Sequence, residues 1–323
     1  MSGERPLAGA PRARYRREMP RRWLALVPVA AGVLPAQNQV LDVVDGETLY
    51  RGGWLVSTSI DIDREESLWA GNRRVDDPDA QHRTRVTTTT GVQYGLRHDL
   101  QIGFAVPYVN DDYVSNDGDS RTEGLGDVEL LAKWRFHRWD APRVAINTAL
   151  ITSLSLPTGA NDESARGVEL TPERQPGSGG LDPAIGLAIT PEPGRWRFNA
   201  AILRQLRNDT DDDGDRLGSS WFAEVAVGNR FWLEPYPGPF MRLDVFGHWY
   251  DEARDRQDGA VLAGTGTERL AVGGTWAFRP RPSLDFQLTG ECVVWRDANG
   301  DLTPGNGQLD DSWSLQFAIG YRF

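Results

Sequence analysis

Cysteine is almost missing from the 323 residues. Cys292 stands alone, which excludes an intrachain disulfide and any multi-cysteine metal site. Lysine is scarcer than its share of the 35 basic residues: Lys133 is the only one, which we read as genomic base composition rather than function. Histidine is confined to His82, His98, His137 and His248. Positive charge is short overall. A net charge of −11 excludes nucleic acid as a partner, because phosphate binding needs a basic surface. Past Ala36 no apolar run approaches the ~20 residues of a membrane-spanning helix. No repeat of constant period is present.

The 39 % hydrophobic content is low for a globular chain, yet 12 Trp and 35 Gly are present. A generous core does not explain those aromatics. The amino terminus, "RYRREMPRRWLALVPVAAGVLPAQNQ", has a basic start, an apolar run from Trp23 to about Leu34 and a small residue at Ala36. This is a secretory layout, with residues 1–36 as the signal peptide and Met19 as an alternative start. An uncleaved N-terminal anchor is the other reading. Residues 37–49 are expected to be a periplasmic segment.

From residue 50 the chain alternates with period two. Strands are expected near 50–63, 82–96, 97–109, 123–136, 142–157, 180–190, 195–206, 218–231, 239–250, 266–278, 283–296 and 312–323. Each reaches the ~9–11 residues of a tilted membrane strand. Connectors alternate too. "GLRHD", "HRWDAPR", "TPEPGR", "EPYPGP" and "RPRPS" are short. "REESLWAGNRRVDDPDAQ", "NDDYVSNDGDSR", "TGANDESARGVELTPERQPGS", "RNDTDDDGDR", "DEARDRQDG" and "DANGDLTPGNGQLD" are longer and rich in Asp, Asn and Gly. Short periplasmic turns and longer outer loops are the plan of an outer-membrane barrel.

The two faces agree with that plan. In "SWSLQFAIGYRF", Trp313, Leu315, Phe317, Ile319, Tyr321 and Phe323 oppose Gln316 and Arg322. Alternation alone does not separate a soluble sandwich from a barrel turned inside out in lipid. Strand length, the signal layout and aromatics near strand ends (Trp134, Phe136, Trp196, Trp221, Trp249, Trp276, Trp295, Trp313, Phe323) favour the barrel. The expected fold is all-β: an up-and-down transmembrane antiparallel barrel of about 12 strands over residues 50–323, in the bacterial cell outer membrane.

Several stretches carry a family resemblance: "YGLRHDLQIGFAVPYV", "GLGDVELLAKWRF", "SLSLPTGA" and "GSGGLDPAIGLAIT". Together they resemble the outer-membrane barrels named for the MetA pathway of phenol degradation, over about Leu49 to Phe323. The resemblance implies an outer-membrane transporter or channel, with an aromatic compound as the naming substrate. It carries over no catalytic or ligand residue.

Arg85, Asp127, Glu129, Lys133, Arg135, Glu224, Arg242, Asp244, His248, Arg269, Glu291 and Gln316 fall on the polar parity and are expected to line a lumen. Two readings stand: a small pore whose mixed charge sets selectivity, or a salt-bridged, closed interior. The mixture of signs argues against a pore dedicated to anions. A rim hydrolase using His248, near Asp244, is the enzymatic alternative. In "DTDDDGD", Asp209, Asp211 and Asp213 precede Gly214 like the start of a calcium loop, but Ser220 holds the twelfth place, which excludes an EF-hand. We read this loop as solvated outer surface, with cation bridging to lipopolysaccharide as the alternative. No cofactor is expected. Expected partners are a small-molecule solute, outer-membrane lipid and lipopolysaccharide. Tyr321 and the terminal Phe323 resemble the assembly signal that barrel-assembly machinery recognises in outer-membrane proteins generally.

Overall fold

The computed structural model describes residues 44–323 apart from 117, 166, 208 and 211–213. The expected signal peptide, residues 1–36, and residues 37–43 lie outside the described residues. Twelve long strands, numbered here β1 to β12, form the barrel. They are Trp54–Ala70, His82–Gly95, Leu100–Val114, Val128–Ala141, Val144–Leu156 and Asp182–Pro193, then Trp196–Gln205, Ser220–Leu233, Phe240–Glu252, Thr267–Arg281, Leu284–Ala298 and Gln308–Arg322. Each pairs antiparallel with its sequence neighbour, and β12 pairs with β1 from Leu55↔Arg322 to Trp69↔Gln308. The sheet is therefore closed and leaves no edge. Among the described residues no helix is long and apolar enough to cross a membrane; the strands do so.

The reason for closure is visible residue by residue. On β8, Val225 is 64 % exposed and its neighbour Glu224 4 %. On β9, Val245 is 62 % exposed and Asp244 2 %. Charge is inside and aliphatic surface outside, the inverse of a water-soluble protein. In water such a surface would be a large exposed apolar patch; in lipid it is the solvated face.

Connectors at one end are tight. The β6–β7 turn is residues 194–195, with Gly194 at φ 63°, a conformation that costs a side-chain residue energy. Residues 96–99, 142–143, 234–239 and 282–283 make the other turns at this end, taken as periplasmic. Aromatics ring it: Trp54 lies against Tyr94 at 4.6 Å and stacks with Phe323 at 6.4 Å, and Trp232 stacks on Phe278 at 6.3 Å.

Beyond shifts of a few residues at other strand ends, two strands differ from expectation in their path. β1 continues to Ala70, past the charged Arg64–Glu66, because Glu65 turns inward to meet Arg83. The expected strand 123–136 is divided. Ser120–Leu125 pairs with the outer part of β3, and β4 restarts at Val128. Pro107 of β3 has no N–H to give at that level, and Gly126 N donates to its carbonyl instead at 2.9 Å.

Candidate functional site: the barrel lumen

The lower mouth is occupied by the chain itself. Residues 44–53 precede β1 and enter the barrel. Asp45 is 6 % exposed; it accepts from Lys133 Nζ at 2.8 Å and from Arg197 Nη2 at 2.5 Å. Arg197 also donates to Glu47 at 3.4 Å. Gly46 N donates to Thr190 Oγ1 at 2.9 Å, and Leu49 N to Gln101 Oε1 at 2.8 Å. A side chain at Gly46 would meet the carbonyl of Asn147 at 2.5 Å, so the segment rests directly on the wall. Val44 packs against the buried cluster of Ile151, Ala188, Ala201, Leu203, Phe222 and Tyr250. Beside this segment lies a chamber of about 680 Å³. Its walls mix Leu49, Tyr50, Leu233 and Phe240 with Lys133, Arg242, Arg279 and Arg322. Arg279 lies over the Phe240 ring at 4.8 Å, while Asp285 accepts from both Arg279 and Arg322.

Farther in, His248 lies between two acids. Its Nε2 is 2.9 Å from Glu224 and its Nδ1 2.9 Å from Glu291. The ring stacks on Phe246 at 4.4 Å and meets Phe222 edge-on at 5.0 Å. Glu224 also accepts from Asn199 at 3.4 Å. Gln316 donates to Asp61 at 2.6 Å. The register that pairs Glu224 with His248 across β8 and β9 sets this group.

The upper mouth is crossed by the loop after β5. Residues 170–178 fold inward around a short 3-10 turn, Pro172–Arg174, whose residues are buried. Arg83 Nη2 and Arg85 Nη1 both donate to the Glu173 carbonyl, at 2.9 and 2.8 Å. Arg83 Nε also donates to Asp111 at 2.5 Å. Arg174 donates to Ser120 Oγ at 2.8 Å and lies over the Tyr113 ring at 4.8 Å.

Asp127 anchors the foot of this loop. Its Oδ1 accepts from Thr158 N at 3.1 Å and Gly159 N at 2.9 Å. Its Oδ2 accepts from Ser178 N at 2.7 Å and Ser178 Oγ at 2.8 Å. A Cβ on Gly159 would meet Gly126 at 2.7 Å and Gly177 at 2.8 Å. The "GLGD", "SLPTGA" and "GSGG" stretches thus converge on one carboxylate, and their glycines permit backbone to touch backbone.

The residues singled out from sequence are placed as follows. Glu129 is buried on β4, 6 % exposed, beside Ser153. Arg135 donates to the His98 carbonyl at 2.6 Å, below the N-terminal segment. Arg242 donates to Asp244 at 2.7 Å. Arg269 reaches Asp310 at 3.5 Å and lies over the Tyr250 ring at 4.8 Å. Lys133, Arg85, Glu224, His248, Glu291 and Gln316 belong to the groups above, and Asp127 holds a loop. Tyr321 and Phe323 are exposed on the outer surface, 6.0 Å apart. Asp209 accepts from Leu181 N at 3.4 Å, whereas Asp211 and Asp213 lie outside the described residues. Among the described residues no group of three or more potential ligands could hold a metal ion. His248 sits four residues inside the outer end of β9, and both its nitrogens face glutamates. Asp244, the partner considered for it, is bound to Arg242 instead.

Sequence reading missed Asp45, Arg197, Glu173 and Asp111. Arg197 and Asn199 alternate with Trp196 and Phe198 and were open to the same parity argument. Asp45 and Glu173 lie outside any period-two segment, so no pattern marked them.

A closed twelve-stranded barrel, apolar outside and charged within, defines a transmembrane β-barrel of the bacterial outer membrane. The family described as "Putative MetA-pathway of phenol degradation" matches residues 79–291. The chain belongs to that family. Among solved structures, the chain is similar to the COG4313 outer membrane channel from Pseudomonas putida F1. Identity is 17 %, coverage 88 % of this chain and 100 % of that one, and TM-score 0.64. It also matches the beta domain of the Bordetella autotransporter BrkA at 11 % identity, covering 84 % of this chain and 100 % of that one, with TM-score 0.46. No curated protein matches the chain.

Proposed function

We propose that the protein is a gated outer-membrane channel for a small solute with an apolar or aromatic body, reaching the membrane after removal of residues 1–36. The observation that carries this reading is the chamber beside residues 44–53. Its ~680 Å³ falls in the size range of small-molecule sites, and its aromatic and aliphatic walls are set among charged groups of both signs, Asp45, Glu47 and Glu234 as well as Lys133, Arg242, Arg279 and Arg322, that would orient a polar end. The family's description with phenol degradation favours an aromatic solute. His248 is a lumen residue here rather than a catalytic base. The same reading gives the Tyr321–Phe323 face to barrel-assembly machinery and the acidic outer loops to the lipopolysaccharide side.

The second reading, a closed structural barrel, is favoured by one observation: ion pairs tie the N-terminal segment across the lower mouth at Asp45. Planar-bilayer recording and liposome swelling with phenol and benzoate separate the two. The intact chain is expected to show small or infrequent current steps, and a variant lacking residues 44–49 several-fold larger ones with faster swelling. Silence of both proteins in both assays would defeat the channel and leave the closed barrel.

A further inference from the structure

The ion pairs at the lower mouth differ in what carries the acid. Arg230 pairs with Glu192, Arg242 with Asp244, and Arg279 and Arg322 with Asp285. In each of these, both partners stand on strands of the wall. Lys133 and Arg197 also stand on strands, β4 and β7, but the carboxylate between them is that of Asp45. Asp45 lies in residues 44–53, which form no strand. The wall thus supplies two fixed cations, and a segment without secondary structure supplies their anion.

Asp45 is held as a free carboxylate would be. Lys133 Nζ donates to one oxygen at 2.8 Å and Arg197 Nη2 to the other at 2.5 Å. Both bonds are charge-assisted, one to each oxygen. Asp45 and Lys133 line the chamber, while the Arg197 side chain is only 2 % exposed. The other acids near Arg197 are farther off: Glu47 at 3.4 Å belongs to the same segment, and Glu192 at 3.8 Å also serves Arg230. Were Asp45 simply to leave, two buried cations would lose their closest anion, and a buried charge without its partner is costly. An incoming carboxylate removes that cost. Exchange of one carboxylate for another is therefore easier than plain opening, and a neutral solute gets no such help. The remaining ties of residues 44–47 to the wall are neutral: Gly46 N to Thr190 Oγ1, and Asn199 Nδ2 to the Val44 carbonyl. From Thr48 onward the chain has its own anchors, Thr48 Oγ1 to the His98 carbonyl at 3.1 Å and Leu49 N to Gln101 Oε1 at 2.8 Å. Leu233 and Phe240 of the chamber belong to strands and would stay to receive an apolar body.

We propose that Lys133 and Arg197 form the binding site for a carboxylate on the solute, that Asp45 fills this site in the resting chain, and that an acid with an apolar or aromatic body lifts residues 44–47 by taking the place of Asp45. The solute class is then an aromatic or aliphatic monocarboxylate, not a neutral phenol. A phenol brings one oxygen and no charge, so it cannot satisfy both cations. The consequence for passage rests on the channel reading; the exchange at the two cations does not.

Titration calorimetry of the folded barrel in detergent with benzoate, acetate and phenol tests the site, and backbone hydrogen exchange of residues 44–47 follows the segment. Asp45→Asn removes the occupant's charge and keeps its shape. A site binds in proportion to the fraction of time it is vacant, so benzoate is expected to bind Asp45→Asn about tenfold or more tightly than the native chain. Acetate should show the same preference at lower affinity, because it leaves the apolar walls unused. Phenol should bind both proteins alike. Adding Lys133→Met to Asp45→Asn should remove the gain, and Asp45→Ala repeats the comparison should the asparagine still take the place. In the native chain, protection of 44–47 should fall several-fold over the range in which benzoate binds, and not with phenol. Equal benzoate affinity in the native chain and both Asp45 variants overturns the site. So does an equal gain for phenol, a gain that survives Lys133→Met, or benzoate binding that leaves 44–47 protected. Exchange of benzoate for Asp45 while no protein carries current keeps the site and counts against the channel. Current and swelling that persist while benzoate fails these tests keep the channel and overturn the site.

Discussion

At the residue scale, Asp127 shows how much a single side chain can hold. It accepts four hydrogen bonds from two loop feet. Bonds to a charged acceptor contribute roughly 1.5–3 kcal/mol each and are not additive. Asp127→Ala is therefore expected to destabilise the folded barrel by about 3 kcal/mol or more. Asp127→Asn should lie between, because its amide keeps an acceptor for one foot and turns a donor toward the other. Urea unfolding of the detergent-folded protein, with proteolysis of the 157–181 loop as a local reporter, measures both. Parity placed Asp127 on the inner face, but its partners come from loops that carry no period. Likewise, parity put Glu224, His248 and Glu291 on one face. Their contact depends on the register of β8, β9 and β11, which is fixed only when the sheet closes.

At the element scale, the two faces of the terminal strand were legible, though β12 begins at Gln308, ahead of the expected residue 312. β12 alternates cleanly, and its outer side chains are those expected. Phe323 closes the ladder through Trp54 N to its carbonyl at 2.8 Å and its own N–H to the Trp54 carbonyl at 3.1 Å. Deleting Phe323 should leave secretion intact and lower the fraction assembled several-fold, read as folded barrel against unfolded chain in the periplasm. Normal membrane insertion of that deletion would remove the assembly role from this residue. β1 and β4 were less legible. A charged run such as Arg64–Glu66 reads as a loop wherever charge means solvent, yet in this barrel Glu65 is lining while Arg64 and Glu66 pair on the exposed side. A Gly-Asp break at 126–127 looks like ordinary strand until the opposing Pro107 is known.

At the scale of the whole molecule, alternating connector length conveyed the architecture before any contact was known, because each strand must cross and return. A barrel closed by a full β1–β12 ladder should resist detergent. Unboiled samples are expected to migrate as a compact band on a gel and to lose it only on heating; a single heat-independent band would contradict closure. What the sequence withheld was the filling. The tail before β1 lacks a strand pattern, and a loop that folds inward has the same composition as one that folds outward.

Residues 46–53 alone join Asp45 to the first barrel strand, and the basic side chains that hold it stand on other strands, Lys133 on β4 and Arg197 on β7. The segment is thus a leashed ligand of its own lumen. A tether this short gives an effective concentration on the order of millimolar. A free solute seeking Lys133 and Arg197 competes with a rival that never diffuses away, so occupancy of the lower mouth is decided by relative affinity rather than by access.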